Sequence, residues 1–452
     1  MRAVWRTLRS HRDLRLLLTA GLVSLTGDWI LRIGLTYHIY AVTGSTLASA
    51  MMLLASFAPQ VLLSSVAGVY VDRWDRKRTM IGANLLLCAG LLPLLFVQTA
   101  DKVWVVYLVL MWEGTVQLFF APAEQAFIPH LVPDDRLVTA NALNGQNRDL
   151  SRLIGSALGG VLAATGSITA LTIVDAATFL VSVALIVRMD SSGRAEAPGG
   201  AKAPVGAFDR GEFSGRTAAP GRTAEASEVV LGRVAAVRKE WIDGLRVALN
   251  QRVLRLLLAF ALITSIGEGI MGTLFAPFVR DVLHGGGQAF GLIVSVQAIG
   301  GIIGGLVAAA LSDRLSAAGL LGWGAVAFGF VDLAMFLYPL VWVEIWPAVV
   351  CMVVVGVPGA FITAGFMTLF QRNTTDAYRG RVFGAIVFVE AVAAIIGTLS
   401  AGFLGETVGI VEILAFQGAG YVVAGFAVLI GLRDPRTTAV LREQAVSQTP
   451  RG

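Results

Sequence analysis

The chain has 452 residues, of which 56% are hydrophobic and only 14% are charged, and its mean hydropathy is +0.74. Soluble globular chains carry about 25% charged residues, so this composition excludes an ordinary soluble fold. The formal net charge of +5 does not indicate a nucleic-acid partner, because the basic residues are spread between apolar blocks. Cys88 and Cys351 both fall inside such blocks, so we expect neither a disulfide framework nor a metal site, and no cofactor.

Twelve apolar blocks follow one another, each near the roughly 20 residues that a helix needs to cross hydrocarbon about 30 Å thick. Lipid offers no partner for backbone N–H and C=O groups, so each block is predicted to be helical. The first block is too long for a signal-peptide core and contains Asp28 and Arg32, so we expect a membrane span there. The predicted spans are 14–41, 48–70, 79–98, 103–122, 139–165, 168–188, 253–279, 289–311, 317–338, 345–370, 381–404 and 410–432.

Lysine and arginine residues are distributed unevenly between the loops. With the N-terminus inside, 32 of the 35 fall in inner segments, Lys102 and Arg280 fall in outer loops, and Arg32 lies within the first span. Cytoplasmic loops carry the excess of Lys and Arg in membrane proteins. We therefore predict a multi-pass protein of the inner (plasma) membrane with both termini in the cytoplasm.

A polar stretch separates the sixth and seventh spans. Residues 189–226 are rich in Gly, Ala, Pro, Ser and Arg, which predicts a disordered linker. From Glu228 to Asn250 apolar residues recur at helical spacing, which predicts an amphipathic helix at the inner membrane surface, either a spacer or a regulatory element. The predicted organisation is an N-terminal half (1–188), a cytoplasmic linker (189–251), a C-terminal half (252–432) and a cytoplasmic tail (433–452).

The two halves resemble each other in sequence. RDLRLLLTAGLVSLTGD (12–28) matches RVLRLLLAFALITSIGE (252–268) at eight of 17 positions, at an offset of 240. Asp72-Arg73 recurs as Asp313-Arg314 at offset 241, and 153–168 resembles 395–410 at offset 242. Because six spans separate the copies, the repeats have the same orientation, with a substrate path expected between them. The predicted fold is an all-α membrane protein of twelve transmembrane helices in two parallel six-helix pseudo-repeats.

Several loop motifs carry a resemblance to a known family. They are GVYVDRWDRKR (68–78), FFAPAEQAFIPHLVP (119–133), RLVTANAL (136–143) and RGRVF (379–383). Together with the repeat they resemble the major facilitator superfamily, and within it the drug:proton antiporter branch with macrolide-efflux proteins and the enterobactin exporter. The resemblance implies the major facilitator fold, in which spans 1, 4, 7 and 10 line the central cavity.

The same resemblance implies a function in transport. We expect export of an amphipathic small organic compound, a drug, antibiotic or siderophore, by alternating access with protons as the coupling ion, and function as a monomer. An importer or a lipid transporter on the same fold is the alternative, and a non-transporting scaffold is disfavoured because helix packing needs no mid-membrane carboxylates. No Walker loop, zinc motif or nucleophile–base set occurs in the sequence, so we do not expect an enzyme. Aromatic residues that would suit a bulky solute are Trp29, Tyr37, Phe57, Trp112, Phe119, Phe275 and Phe366.

The loop after the second span has a physical logic of its own. A carboxylate there can face the positive N-terminal end of a neighbouring helix, and arginines can bind carboxylates and helix C-termini. Such contacts would form a conformational latch between states, as the resemblance also implies; the alternative is a basic loop that only sets orientation. The predicted latch comprises Gly68, Asp72, Arg73, Arg76, Asp313 and Arg314.

Charged side chains interrupt several spans, and each costs roughly 2.5–3.5 kcal/mol on insertion scales. Asp28 and Arg32 are one turn apart, so a structural pair is one interpretation; Glu268 matches Asp28 in the repeat, with Gly272 in place of Arg32. The proton-coupling or substrate-cavity candidates are Asp28, Arg32, Glu113, Gln117 and Glu268. For three further acids, Asp175, Asp332 and Glu390, we expect helix–helix hydrogen bonds. Residues of span 5 that either line a vestibule or pair with Asp149 are Asn141, Asn144, Arg148 and Arg152.

Glycines recur where span 5 continues as RLIGSALGG (152–160), which resembles an antiporter signature with Ser156 in place of proline. Small residues let membrane helices approach closely. The predicted helix-interface glycines are Gly155, Gly159, Gly160, Gly397 and Gly402.

Overall fold

The computed structural model describes residues 9–71, 74–97, 99–190, 246, 249–311, 315–374 and 376–433. Twelve long helices run through these residues, and each coincides with one predicted span. They are α1 (Arg12–Thr43), α2 (Thr46–Val71), α3 (Arg76–Leu91), α4 (Val103–Phe127), α5 (Asp134–Ala163), α6 (Ile168–Val187), α7 (Arg252–Pro277), α8 (Gly287–Leu311), α9 (Ala317–Leu337), α10 (Trp346–Arg372), α11 (Asp376–Leu404) and α12 (Ile410–Arg433). A π turn, Phe278–Val282, follows α7.

Ten of the helices in the described residues are long and apolar enough to cross a membrane. The exceptions are α2, most of whose side chains beyond Gln60 lie outside the described part, and α5, whose first half is polar. Several helices also extend past the predicted apolar limits: α4 continues to Phe127, α5 begins at Asp134 and α11 begins at Asp376. Hydropathy marks only the apolar part of a helix, whereas its backbone hydrogen bonds continue into polar sequence.

The helices pack in two groups with matching neighbours. In the first group α1 packs against α5 and α6, and α4 packs against α2 and α3. In the second group α7 packs against α11 and α12, and α10 packs against α8 and α9. Each contact recurs six helices later, as expected of parallel repeats. Between the groups, α5 packs against α8 and α2 against α11, so these two interfaces are also equivalent. The predicted helix from Glu228 to Asn250 lies almost entirely outside the described residues.

The two groups contact each other at one end of the bundle, which we call the closed end. Here α5 meets the start of α8, and the last turns of α11 meet the start of α2. A Cβ atom added to Gly160 would lie 2.6 Å from the Cα of Gly291, and one added to Gly402 would lie 2.6 Å from the Cβ of Ala50. These glycines match at offset 242, and Ala50 matches Gly291 at offset 241. The closed end is therefore built from the same contact made twice.

At the opposite end, where α1 and α7 begin, a cavity of about 700 Å³ lies between α1, α5 and α8. We call this the open end. A Cβ atom added to Gly301 or Gly305 of α8 would meet no atom within 4 Å there. In contrast, Ile33 of α1 is buried near the closed end in one core cluster with Phe278 and Phe336 of the second group. Among the described residues, the cleft between the groups is thus bounded by packed side chains at the closed end and opens into the cavity at the other.

Candidate transport site

The side chain of Asp28 on α1 meets polar residues of α4. Gln117 Nε2 donates a hydrogen bond to Asp28 Oδ2 over 3.4 Å. Asp28 also interacts electrostatically with Arg32 and Glu113, and Glu113 interacts with Arg32. The Arg32 guanidinium lies 5.6 Å from the ring centroid of Trp29, within cation–π range. The structure therefore brings four of the five predicted candidates together between α1 and α4.

Asp175 on α6 joins this group, although the sequence predicted only a helix–helix hydrogen bond for it. The residue is 0% exposed, and its Oδ1 accepts a hydrogen bond from Thr178 Oγ1, in its own helix, at 3.2 Å. Its carboxylate lies against Gly27, where an added Cβ would collide with it. Asp175 interacts electrostatically with Asp28 and with Glu113. It is the main residue that sequence reasoning missed.

A second polar group lies in the C-terminal half. Glu268 on α7 accepts a hydrogen bond of 2.6 Å from the hydroxyl of Tyr421 on α12. Asp332 on α9 accepts one of 2.8 Å from Gln417 Nε2 on α12, which is the helix–helix hydrogen bond that the sequence predicted. Glu268 interacts electrostatically with Asp332. Gln417 corresponds to Asp175 at offset 242 and packs against Gly267 as Asp175 packs against Gly27.

Glu268 has a cationic neighbour that its own helix does not supply. Arg152 on α5, in the other group of helices, interacts electrostatically with it. The side chain of Arg152 is partly buried, and among the described residues its Nε has no hydrogen-bond partner. The sequence comparison, with Gly272 in place of Arg32, shows only that α7 itself supplies no cation one turn from Glu268. Arg152 and Glu268 connect the two groups across the cleft.

The cavity at the open end has walls of different character. Its lining residues are Arg15, Leu18, Thr19, Leu22, Leu143, Gln146, Asn147, Asp149, Leu150, Gly301, Ile302, Gly305 and Leu306. The polar ones come from α1 and α5, whereas α8 contributes only glycine and aliphatic side chains. A cavity with one polar and one apolar wall can hold an amphipathic molecule.

Other polar side chains of α5 interact with α1 and α4. Asn147 Nδ2 donates to the carbonyl of Leu18 at 2.7 Å. Arg148 interacts electrostatically with Glu124 on α4, which also makes a side-chain hydrogen bond with Asn144. Of the four residues predicted either to line a vestibule or to pair with Asp149, Asn144 and Arg148 lie beside Glu124 instead, and none is among the residues that line the cavity.

Hydrogen bonds between the groups converge on the closed end. The backbone N–H of Thr46, at the start of α2, donates to Glu406 Oε1 at 3.2 Å, and Thr46 Oγ1 donates to the carbonyl of Gly402 at 2.9 Å. Arg280 Nη1 donates to the carbonyl of Tyr40 at 2.9 Å, and the Tyr40 hydroxyl donates to Asp281. Apart from Gly402, a predicted interface glycine, no sequence motif marked these residues, because their partners are more than 200 positions away.

Family comparisons agree with this architecture. Residues 3–199 match the family described as Transmembrane secretion effector, and residues 257–450 match the family described as Major Facilitator Superfamily. The matches fall on the two groups of helices. The chain belongs to the major facilitator superfamily. The predicted resemblance and fold class are confirmed, and the molecule is a membrane transporter.

Named relatives of this superfamily member include efflux proteins. It is 30% identical to macrolide efflux protein A of Streptococcus pyogenes over 155 residues, which cover 34% of this chain and 38% of that relative. It is 26% identical to the enterobactin exporter EntS of Citrobacter koseri over 163 residues, 36% and 39% of the two chains. The chain therefore spans well under half the length of these two relatives. YfiS, an uncharacterized transporter of Bacillus subtilis, is 22% identical over 94% of each chain.

The fold is also that of solved transporters. A POT family transporter, solved with a thioalcohol-conjugated peptide, has a TM-score of 0.69 at 11% sequence identity. The match covers 94% of this chain and 97% of that one. At this identity the likeness concerns the fold alone.

The predicted latch of this major facilitator lies mostly outside the described residues, which omit Asp72, Arg73, Asp313 and Arg314. Gly68 lies within α2. Arg76 is described, and its guanidinium contacts the imidazole of His130 in the turn after α4. Between them, Asp75 caps α3 by accepting a hydrogen bond of 2.9 Å from the backbone N–H of Arg78. A carboxylate at this N-cap stabilises the helix start.

The five predicted interface glycines all lie where helices approach closely. Gly155 and Gly159 face α1, Gly397 faces α7, and Gly160 and Gly402 face the opposite half.

Two of the aromatic residues predicted to suit a bulky solute have other surroundings. The Trp112 indole donates a hydrogen bond to the carbonyl of Leu86 on α3 at 2.9 Å. Phe275 is 5% exposed and lies in the core of the second half.

Proposed function

We propose that this transporter exports an amphipathic small organic compound, such as a drug, antibiotic or siderophore, in exchange for protons. The observation that carries the proposal is that both halves contain intramembrane carboxylates, one of which interacts with a cation of the opposite half. Asp28 and Glu113 lie on α1 and α4, whereas Glu268 lies on α7 and interacts electrostatically with Arg152 of α5. Acids within a membrane are costly, and where they are retained they mark paths of substrates or protons. Proton exchange requires groups whose protonation differs between two states.

The orientation follows from the charge asymmetry of the loops. With both termini in the cytoplasm, the open end faces the cytoplasm and the closed end faces outward. A compound then enters the cleft from the cytoplasm or the inner leaflet, and the polar and apolar walls of the 700 Å³ cavity suit an amphipathic solute. Transport requires the contacts at Thr46 and Gly160 to break while the open end closes. A single chain contains both halves of this cycle, so we propose a monomer.

The direction of transport is supported by two relatives, a macrolide efflux protein and an enterobactin exporter. The test uses inside-out membrane vesicles and a radiolabelled macrolide. Export by proton antiport predicts uptake into the lumen when the lumen is acidic, with loss of uptake after a protonophore is added. Vesicles without the protein are the control. Uptake confined to right-side-out vesicles would instead support an importer, and redistribution of a fluorescent phospholipid without macrolide transport would support a lipid transporter.

A further inference from the structure

Helices α1 and α6 approach each other closely at an unusual place, beside a buried acid. Gly27 has no side chain, and the Thr178 hydroxyl together with the Asp175 carboxylate, both on α6, occupies the space that a Cβ atom at this position would need. The next residue along α1 is Asp28. The glycine therefore allows two carboxylates on different helices to come near each other within the membrane-spanning part of the first half.

The two acids differ in accessibility and in partners. Asp28 is partly accessible and accepts a hydrogen bond from Gln117, whereas Asp175 is 0% exposed and accepts one from Thr178 of its own helix. Among the described residues, Oδ1 of Asp28 and Oδ2 of Asp175 have no hydrogen-bond partner, although both atoms are buried. A buried carboxylate oxygen without a donor is costly, and protonation of that carboxyl removes most of the cost.

The charges facing Asp175 make full ionisation unfavourable. Asp28 on α1 and Glu113 on α4 both interact with it electrostatically, and the thiol of Cys88 on α3 also lies within its field. The cation of this group is Arg32, which interacts with both Asp28 and Glu113. Two of the three carboxylates thus interact with this guanidinium and Asp175 does not, and neighbouring like charges disfavour a second or third ionisation.

Resting on the proposed proton antiport, we propose that Asp175 is the proton-binding residue and that Asp28 is its ionised partner. The negative charges of Asp28 and Glu113 hold the proton on Asp175 in the state seen here. The proton leaves Asp175 as H⁺, passes to the partly accessible Asp28 carboxylate and from there to water in the cleft. No further reactant is consumed. The substrate that competes for this region would carry a positive charge, which stabilises the ionised acids.

Infrared spectroscopy of the purified full-length protein in nanodiscs tests the protonation without any substrate. A protonated carboxyl gives a C=O stretching band that carboxylates lack. We expect Asp175→Asn to remove one carboxyl's share of this band. Asp28→Asn and Glu113→Gln should each keep the contribution of Asp175 to the band. In both variants this contribution should disappear at a lower pH, because one negative charge that opposes the ionisation of Asp175 has been removed. The control Glu344→Gln, at an accessible acid near the closed end, should change neither.

The same variants separate this inference from the proposed function. In proteoliposomes, we expect Asp175→Asn to lose accumulation of a radiolabelled macrolide driven by a pH gradient while keeping exchange of labelled for unlabelled macrolide. An unchanged band in Asp175→Asn, or no pH displacement in Asp28→Asn and Glu113→Gln, overturns the assignment of the proton. Full gradient-driven accumulation by Asp175→Asn overturns its coupling role. If the unmodified protein does not accumulate macrolide in response to the pH gradient, both the proposed antiport and the coupling role of Asp175 are wrong. The infrared band still determines which residue binds the proton.

Discussion

Arg152 and Glu268 form the one electrostatic connection across the cleft among the acids of the described transport site. They lie on α5 and α7, in different halves, and Glu268 is held by Tyr421 at 2.6 Å. Arg152 has a buried Nε without a hydrogen-bond partner in the described residues, and it interacts electrostatically with Glu268 of the opposite half. An interaction between parts that move against each other differs in energy between the two states of the transporter, which is the requirement for state-dependent control.

We therefore predict that Arg152→Gln and Glu268→Gln are coupled. Each single variant should slow macrolide transport, and the double variant should be no slower than the worse single one, with a coupling free energy of about 0.5–3 kcal/mol. The measurement is a double-mutant cycle on initial transport rates, with thermal unfolding recorded to verify folding. Additive effects would show that the two residues act independently. The matched control is Arg148→Gln, because Arg148 interacts with Glu124 in its own half.

For individual residues, the sequence predicted which side chains belong to the candidate site better than it predicted which side chains contact one another. Asp28, Glu113 and Glu268 were identified because a charge inside an apolar block is conspicuous. The closeness of Asp175 to Asp28 depends on how α1 and α6 are rotated against each other, and hydropathy contains no information on that rotation. A usable signal did exist: Gly27 and Gly267 match in the repeat, and each packs against an α6 or α12 residue related by offset 242.

Among the helices, α5 and α8 make the closest approach between the halves. A Cβ atom at Gly160 would lie 2.7 Å from the carbonyl oxygen of Gly287 as well as 2.6 Å from the Cα of Gly291. Both obstacles are backbone atoms, which cannot rotate away as a side chain can. Any side chain at this position separates the two helices.

We predict that Gly160→Val disfavours the closed end. Overpacking costs typically about 1–3 kcal/mol, and roughly 1.4 kcal/mol corresponds to a tenfold change in population. Spin labels on Thr165 and Gln288, both accessible near this interface, should move apart as measured by pulsed electron resonance. Gly301→Val is the control, because a Cβ there meets no atom within 4 Å. An unchanged distance distribution in Gly160→Val would show that the interface adjusts elsewhere.

The start of α2 gives a second prediction at this scale. Glu406, from the loop after α11, accepts a hydrogen bond from the backbone N–H of Thr46, so it caps a helix of the other half. Hydrogen bonds to charged groups contribute about 1.5–3 kcal/mol. Glu406→Ala should therefore widen the separation of the same two labels, and Glu406→Asp less so. Equal distances in all three proteins would exclude a gating role for this cap.

Helix positions were predictable because each apolar block has the length of a span, and every predicted span contains one helix. Helix ends were less predictable where the sequence is polar. The first five residues of α5 and of α11 were placed in loops, since residues 134–138 and 376–380 carry charged and polar side chains. At the closed end the sequence predicted the interface glycines Gly160 and Gly402, but not the hydrogen bonds between the halves, which depend on which of two conformations the molecule adopts.

In the molecule as a whole, the interface between α5 and α8 is equivalent to the interface between α11 and α2. The loops at the closed end comprise residues 43–46, 163–168, 278–287 and 404–410. The open end comprises the start of α1, the start of α7 and the residues just before α3. The loop charges predict that this second end is cytoplasmic.

We predict that single cysteines at Ser45, Gly286 and Val408 react with a membrane-impermeant maleimide added to intact cells. Cysteines at Asp75 and at Gly211, in the predicted linker, should react only after the membrane is permeabilised. The background for this experiment replaces both native cysteines by alanine. Labelling of Gly211 from outside would contradict parallel halves with a cytoplasmic linker, whereas inverted labelling at all five positions would reverse the proposed transport direction.

The closed end has a consequence for how the transporter can diversify. Many of its contacts between the halves use main-chain atoms: the carbonyls of Tyr40 and Gly402, the N–H of Thr46 and the bare backbone at Gly160 and Gly291. Main-chain atoms are present whatever their own side chain, so sequence change at this gate is constrained mainly at the glycines and at the three opposing side chains, Arg280, Thr46 and Glu406. The cleft walls, in contrast, consist of side chains. Selection can therefore change which compounds are accepted, one wall residue at a time, without disabling the machinery that moves them.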